Sequence, residues 1–135
     1  MALLNWNDSF NVNIKLFDSQ HKQLFDLINQ LHDAMMVGKG KEIMENVLKS
    51  LINYTNTHFA DEERLLKFQG YPDLERQVTE HRLFVLQIAE FQKKYTDGNA
   101  AITQVTLNFL RDWLQNHIKV EDKKYSEFLI AKGVN

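Results

Sequence analysis

Residues 58–63 read His-Phe-Ala-Asp-Glu-Glu and place an imidazole and a carboxylate, His58 and Glu62, four positions apart among helix-forming residues. On an α-helix these two side chains project from the same face, one turn apart, so they can bind one metal ion or two adjacent ones. A His/Glu pair at this spacing is more often a solvated surface pair. Here, however, the same face also carries Val47, Leu51, Tyr54 and Leu65. The pair therefore lies on the apolar side of the helix, where an ionised carboxylate needs a partner and a cation is the simplest one.

The composition is typical of a single globular domain. The chain has 135 residues, of which 44% are hydrophobic and 25% charged, and its net charge is −2. This length allows one well-buried core and is short for two, so we predict a single domain over residues 1–135. The small net charge gives no electrostatic reason to expect nucleic acid or an anionic membrane as a partner. The sequence contains no Cys, which leaves His and carboxylate as metal ligands and favours iron or manganese.

The N-terminal residues lack the basic and apolar regions of a secretory signal, and no apolar run approaches the length of a membrane span. We therefore expect a cytoplasmic protein without a membrane anchor.

Helical periodicity divides the chain into an irregular arm and four long helices. The predicted segments are an arm over residues 1–17 and helices from Asp18 or Ser19 to about Val37, from about Lys41 to Phe68, from Tyr71-Pro72-Asp73 to near Tyr95, and from near Asn99 through Leu129. The core face predicted for the fourth helix is Ile102, Val105, Phe109, Trp113, His117, Val120, Tyr125 and Leu129. Amphipathic helices joined by short loops bury their apolar faces against one another. This predicts an all-α, antiparallel up-down-up-down four-helix bundle with the arm lying across it.

Side chains with metal-binding chemistry converge at one end of this bundle. In an antiparallel arrangement, the starts of the first and third helices lie beside the ends of the second and fourth. Seven residues fall at these places on the inward faces: His21, His58, Glu62, Gln77, His81, His117 and Asp122. A lone His on an apolar face is more often a hydrogen-bonded core residue, but four at one end are hard to attribute to chance. We predict that all seven point into one pocket of the kind that holds a dinuclear metal site.

Asp122 departs from simple helical geometry. Five residues after His117, it lies ~140° away from it around an ideal helix. Both face the core only if the helix bends, widens or breaks between them, and the intervening Ile118-Lys119-Val120-Glu121 contains neither Pro nor Gly. We therefore predict a local bulge here, stabilised by metal binding.

The pattern resembles the hemerythrin family, in particular its single-domain bacterial members. The matching motifs cover essentially the whole chain: His21 within Asp18-Ser19-Gln20-His21-Lys22, His58-Phe59 with Glu62-Glu63, Gly70-Tyr71-Pro72-Asp73, Glu80-His81, and Trp113 with His117-Ile118 and Asp122. The resemblance implies an oxo- or hydroxo-bridged pair of iron ions that binds O2 reversibly as a peroxide. Such a protein is an oxygen carrier, store or sensor rather than an enzyme.

The resemblance also implies a role for each matching residue. His21 and His58 would hold the iron with the open O2 position, His81 and His117 would hold the other iron, and Glu62 and Asp122 would bridge the two. A dry O2 pocket would be lined by Leu24, Phe59, Trp113, Leu114 and Ile118. Glu63, one residue around the helix from Glu62, is expected to be exposed and to contribute little.

Gln77 departs from the family pattern, which places a third histidine ligand of the second iron four residues before His81. Gln offers a neutral carbonyl oxygen that donates more weakly than imidazole. The second iron would then have Gln, water or nothing in its sixth position. Two alternatives stay open: a di-iron oxidoreductase with peroxidase-like activity at a site opened by Gln77, and a structural bundle with an empty site.

Overall fold

The chain folds into four long helical rods preceded by an irregular arm. The structure, a computed structural model, describes residues 3–37, 40–98 and 102–135, with the side chains of residues 40–44, 96, 102 and 103 outside the description. The helices are α1 (Lys15–Met36), α2 (Gly40–Phe68), α3 (Leu74–Thr96), α4 (Ile102–Asn116) and α5 (Lys123–Ala131), with a 3-10 turn at Asp8–Phe10 and a π-helical segment at His117–Asp122. This segment, called the π segment below, joins α4 to α5 without a break, so the three together form the fourth rod.

The rods pack as the amphipathic pattern predicted. Helix α1 packs on α2 and α4, and α3 packs on α2 and α4. Successive rods are joined by short connections, so each runs antiparallel to the one before it. Their inward faces form one continuous apolar core that includes Ile28, Leu48, Ile88 and Leu110. The prediction of an all-α four-helix bundle is confirmed, and the described residues contain no strand.

The N-terminal arm lies across the bundle, as predicted from its apolar residues. Its buried side chains are Leu4, Phe10, Val12 and Ile14, followed by Phe17 in the first turn of α1. Half-buried Trp6 packs edge-on against Phe25 of α1 at 5.1 Å between ring centroids. Lys123 donates a hydrogen bond to the Asn11 carbonyl at 2.6 Å, and the Ser126 hydroxyl donates to the Val12 carbonyl. The arm is thereby fastened to the fourth rod where α5 begins.

Two predicted helix starts need correction. Helix α1 begins at Lys15, so Asp18 lies inside its first turn and does not precede it as a cap. The Asp18 carboxylate instead accepts hydrogen bonds from the amides of Val12 and Asn13 at 2.8 and 3.2 Å and so fastens the arm. Helix α3 begins at Leu74, so the turn around Pro72 precedes it. The start predicted for the fourth helix, near Asn99, lies outside the described residues.

The predicted core face of the fourth rod is also partly wrong. Val105 and Val120 are 50% and 52% exposed. The predicted His117, Tyr125 and Leu129 are buried, and the side chain of Ile102 lies outside the described residues. The rod's other buried residues in α4 and the start of the π segment are Thr106, Leu107, Leu110, Leu114 and Ile118. Phe109 and Trp113, which set the predicted face, lie half-buried at its edge, and the π segment shifts the face again before Val120.

Among the described residues, no helix combines the length and the apolar character that crossing a membrane requires.

Candidate metal centre

All seven residues predicted to converge do so, and all are buried. They come from the first halves of α1 and α3, the second half of α2 and the two ends of the π segment: His21, His58, Glu62, Gln77, His81, His117 and Asp122, each at most 5% exposed. Their burial at one end of the core follows from the antiparallel packing of rods whose apolar faces carry them.

The π segment brings Asp122 to the same face as His117. In a π-helix, hydrogen bonds join residues five apart rather than four, so a residue five positions on returns to the same side. The segment begins at His117 and ends at Asp122, and the Nε2 and Oδ1 atoms of these residues lie 3.1 Å apart. The predicted bulge is therefore present, while its stabilisation by metal stays a prediction.

The two central carboxylates each lie between histidines from opposite sides of the cluster. Glu62 Oε1 is 3.0 Å from His58 Nε2 and 3.5 Å from His81 Nε2. Asp122 directs Oδ2 to His21 Nε2 at 3.2 Å and Oδ1 to His117 Nε2 at 3.1 Å. Each carboxylate thus faces both the His21/His58 pair and the His81/His117 pair, and Glu62 Oε2 also lies 3.8 Å from His21 Nε2. This is the arrangement that two carboxylates need to bridge two metal ions.

Unpaired polar atoms test whether the cluster fits metal. Among the described residues, the buried side-chain atoms without a hydrogen-bond partner are His21 Nδ1 and Nε2, Glu62 Oε1, Gln77 Oε1, His81 Nε2, His117 Nε2 and Asp122 Oδ2, together with Thr55 Oγ1 nearby. Buried polar atoms are normally paired, because an unpaired one costs about 1–3 kcal/mol. A set of imidazole nitrogens and carboxylate oxygens left unpaired at one point matches the donors that iron accepts. Ligand atoms of His21, His58 and Glu62 all lie within 4.8 Å of one another, close enough for one ion. The residues fit a metal centre.

Hydrogen bonds behind three of the histidines set their orientation. The Nδ1–H of a histidine that donates to an oxygen leaves its Nε2 lone pair free for a metal. His81 Nδ1 lies 2.9 Å from Glu63 Oε2, His117 Nδ1 lies 2.8 Å from Glu80 Oε2, and His58 Nδ1 contacts Gln20 Oε1. The same Gln20 donates through Nε2 to Asp61 at 2.9 Å. Each of these three imidazoles therefore presents Nε2 to the centre.

Sequence reasoning missed Gln20 and Glu80 and misjudged Glu63, which is half-buried and bonded to His81. The expectation that Glu63 is exposed is wrong, and its hydrogen bond to His81 argues against the prediction that it contributes little. A signal was present in the sequence, since each of these residues directly adjoins a predicted ligand position. Such a neighbour lies ~100° around the helix from the ligand position and so points toward the adjacent rod. There it meets a histidine of that rod: His58 for Gln20, His81 for Glu63 and His117 for Glu80.

The cluster holds its carboxylates ionised. Burial raises the pKa of Asp122, but His117 and His21 beside it outweigh burial and hold that pKa well below its usual range. For Glu62, burial and Asp122 also raise the pKa, yet His58 and His81 together leave it lowered. Charged carboxylates are the form that binds a metal cation.

Tyr125 supports Glu62 at Oε2, the carboxylate oxygen that does not contact His58 and His81. Its hydroxyl, fully buried, donates to Glu62 Oε2. Burial, with Asp122 and Glu62 adding to it, raises the pKa of Tyr125 well above 10. The phenol therefore stays protonated and serves as a fixed donor to a carboxylate of the centre.

Gln77 is held by one of those carboxylates. Its Nε2 donates to Asp122 Oδ1 at 3.1 Å, while its Oε1 is among the unpaired buried atoms. The amide therefore directs its NH2 group to the carboxylate and has only its carbonyl oxygen left for a metal.

A small apolar cavity lies one helical turn deeper in the bundle than the four histidines. Its volume is about 10 Å³, enough for the centre of one small molecule. The predicted O2-pocket residues Leu24, Phe59, Trp113 and Leu114 all line it, together with Ile28, Leu51, Thr55, Phe84 and Leu110. Ile118, also predicted, is fully buried but is not part of this lining. The structure thus places four of the five residues around a small, mostly apolar space beside the centre.

Two aromatic rings lie flat against the histidines next to this cavity. Phe59 stacks on His81 with ring centroids 3.6 Å apart, and Trp113 stacks on His117 at 4.3 Å. Because both rings also line the cavity, they separate these histidines from it and fix the planes of the imidazoles.

Comparison with known proteins gives one consistent family. Residues 12–129 match the Hemerythrin HHE cation binding domain. The chain is 41% identical to a bacteriohemerythrin of Methylococcus capsulatus, covering 97% of this chain and 100% of the relative. It is 35% identical to a bacteriohemerythrin of Pseudomonas aeruginosa, covering 93% and 80%, and 28% identical to a myohemerythrin of Theromyzon tessulatum, covering 89% and 88%. A crystal structure of wild-type hemerythrin superposes with a TM-score of 0.85 at 38% identity, covering 93% of this chain and 97% of that one. The chain therefore belongs to the hemerythrin family.

Proposed function

We propose that this protein binds O2 reversibly at a di-iron centre and acts as an oxygen carrier, store or sensor. Proteins of the hemerythrin family bind oxygen at two irons. The observation in this chain that best supports the proposal is the placement of Glu62 and Asp122, each between histidines of the two opposing pairs. Such a placement suits two ions side by side rather than one.

Each residue of the cluster then has a defined task. His21 and His58 would hold one iron, His81 and His117 the other, and Glu62 and Asp122 would bridge them. Two ferrous ions held in this way supply the electrons that reversible O2 binding requires. Since iron accepts nitrogen and oxygen donors together, this mixed set suits it.

The residues around the centre would keep binding reversible. The cavity walls supplied by Leu24, Phe59, Trp113 and Leu114 exclude water and protons, which promote irreversible oxidation. Glu63 and Glu80 fix two of the histidines, and such outer hydrogen bonds hold a metal ligand in one orientation and raise its basicity. The chain thus provides both a donor set and a dry chamber beside it.

The oxidoreductase alternative is not favoured, since family members are oxygen-binding proteins rather than enzymes. A single hemerythrin-like domain over residues 1–135 and a cytoplasmic location remain predictions that accompany the proposal.

The proposal is tested by iron content together with the optical spectrum. Protein expressed with added iron and purified in air should hold about two irons per chain and absorb in the near ultraviolet as an oxo-bridged ferric pair does. Asp122→Ala should lose at least one iron, whereas Glu75→Ala, an exposed carboxylate of α3, should keep both. Metal-free parent protein, or equal iron in the two variants, would contradict the proposal.

A further inference from the structure

We propose that the metal position between His81 and His117 is a second binding site for a small uncharged ligand, opened by Gln77 and reached from the protein surface. The inference rests on the proposed di-iron function and extends it to the second metal. Three features of the structure support it: the donor count, the hydrogen bond of Gln77 and the course of two surface grooves.

The first feature is that the two metal positions have equal imidazole donors. His21 and His58 serve one position and His81 and His117 the other, while the carboxylates of Glu62 and Asp122 face both. Two imidazoles and two shared carboxylate oxygens give each iron four protein donors. Non-heme iron sites with so few protein ligands keep coordination positions open for exogenous ligands.

The second feature is that Gln77 is a poor candidate to fill the extra position. Its NH2 group is engaged by Asp122 Oδ1 at 3.1 Å, which ties the orientation of the amide to that carboxylate. Only the neutral Oε1 remains, and an amide oxygen donates more weakly than an imidazole nitrogen. A ligand that arrives at the iron therefore competes with a weak donor rather than a strong one.

The third feature is access from solvent. A groove of about 380 Å³ between α3 and the fourth rod is lined by His117 and by the exposed side chains of Leu83 and Val120. A second groove of about 330 Å³ between α2 and α3 is lined by His81 and the exposed Leu86. Neither groove is lined by His21 or His58. Among the grooves described, these two reach the imidazoles of the second position, on the Nδ1 edges that Glu80 and Glu63 contact.

The groove walls indicate the chemistry of the ligand. The larger groove carries the carboxylates of Glu80 and Glu121 beside its apolar side chains, and the other carries Glu63 with Arg82. These carboxylates are already engaged, Glu121 by Arg76 at 2.9 Å, Glu80 by His117 at 2.8 Å and Glu63 by His81 at 2.9 Å, so they offer little to a charged ligand. Burial at the metal position excludes large molecules. A neutral molecule of two or three heavy atoms fits these limits, and nitric oxide is a suitable probe because it binds ferrous iron directly.

The test is the number of nitric oxide molecules bound per chain. Anaerobic, reduced protein with its iron content measured beforehand is titrated with nitric oxide, and binding is followed by the optical spectrum and the N–O stretching bands. The parent should bind about two per chain and show two bands, whereas Gln77→His, which supplies a third imidazole, should bind about one. Gln77→Ala should also bind about two. Gln87→His, elsewhere on α3, is the matched control and should behave as the parent.

The failure modes are separable. A parent that binds only one nitric oxide with both irons present, or equal uptake by the parent and Gln77→His, would overturn this inference and leave the di-iron function intact. A parent that holds no iron, or reduced iron that binds none, would overturn both.

Discussion

Replacing Tyr125 with Phe tests whether the support behind the centre stabilises the fold. The Tyr125 hydroxyl is fully buried and donates to Glu62 Oε2, a carboxylate that is itself fully buried. Phe keeps the ring, which packs edge-on against Phe17 at 5.8 Å between centroids, and removes only the donor. The substitution therefore isolates one hydrogen bond to a buried charge, with little contribution from lost packing.

The expected loss of stability is large for the removal of a single oxygen atom. A hydrogen bond to a charged group contributes about 2 kcal/mol, and because Glu62 is fully buried, bulk solvent does not reach the oxygen that loses its donor. In a chain of this size, each kcal/mol lost from the free energy of unfolding lowers Tm by about 4 °C, so Tyr125→Phe should lower Tm by about 8 °C. The matched control is Tyr54→Phe on α2, because the Tyr54 hydroxyl makes no hydrogen bond within the described residues and its side chain is half-buried.

The assay is reversible urea and thermal unfolding of the metal-free protein, since bound metal would invalidate a two-state treatment. The free energy of unfolding of Tyr125→Phe should fall well below that of both the parent and the control. If the free energy of unfolding of Tyr125→Phe lies within about 0.5 kcal/mol of the parent's, the difference is no larger than that of an ordinary surface substitution, and the reasoning is refuted.

Three further predictions follow from the structure. Glu63→Gln and Glu80→Gln should each weaken iron retention about 10- to 100-fold in chelator competition, because each removes the carboxylate behind a histidine, while Glu75→Gln should not change it. Asp122→Ala should lower the Tm of the iron-loaded protein much more than that of the metal-free protein, because lost metal binding adds to the loss of folding free energy; equal shifts in calorimetry would argue against a metal role. Burial, with Asp73 beside it, raises the pKa of Tyr71 to about 12 from 10.0, so this tyrosine contributes stability that is fully present below pH 10 and is lost as the pH rises toward 12. Urea midpoints at pH 8 and 11.5 should show that loss in the parent and a smaller one in Tyr71→Phe.

The bundle could be predicted because its determinants are periodic. Apolar residues recur at helical spacing in four stretches, and breaks in that spacing coincide with Gly and Pro, so rod number and direction follow from local sequence. The same logic placed His58 and Glu62 on an inward face and put them beside His81, which comes from another rod. Five-residue spacing between His117 and Asp122 even indicated the π segment, because no regular helix satisfies both positions.

The errors arose where tertiary contacts compete with local pattern. Asp18 has the residue type and position of a helix cap, yet its carboxylate binds the backbone of the arm, a contact that local pattern does not specify. Val105 was assigned to the core by a face set on Phe109 and Trp113, which lie at the edge of the core, and Val120 by a regular period that the π segment interrupts. Glu63 is a polar residue beside a ligand position, and only the position of α3 shows that it meets His81.

Reversible uptake of O2 by the iron-loaded, reduced protein is the most direct test of the central claim that this bundle is a di-iron oxygen-binding protein. Reduced protein exposed to O2 should take up about one O2 per two irons, acquire a visible absorption band, and lose both on flushing with argon over repeated cycles. Protein that contains both irons but takes up no O2, or that is oxidised at once without releasing any, would contradict the account.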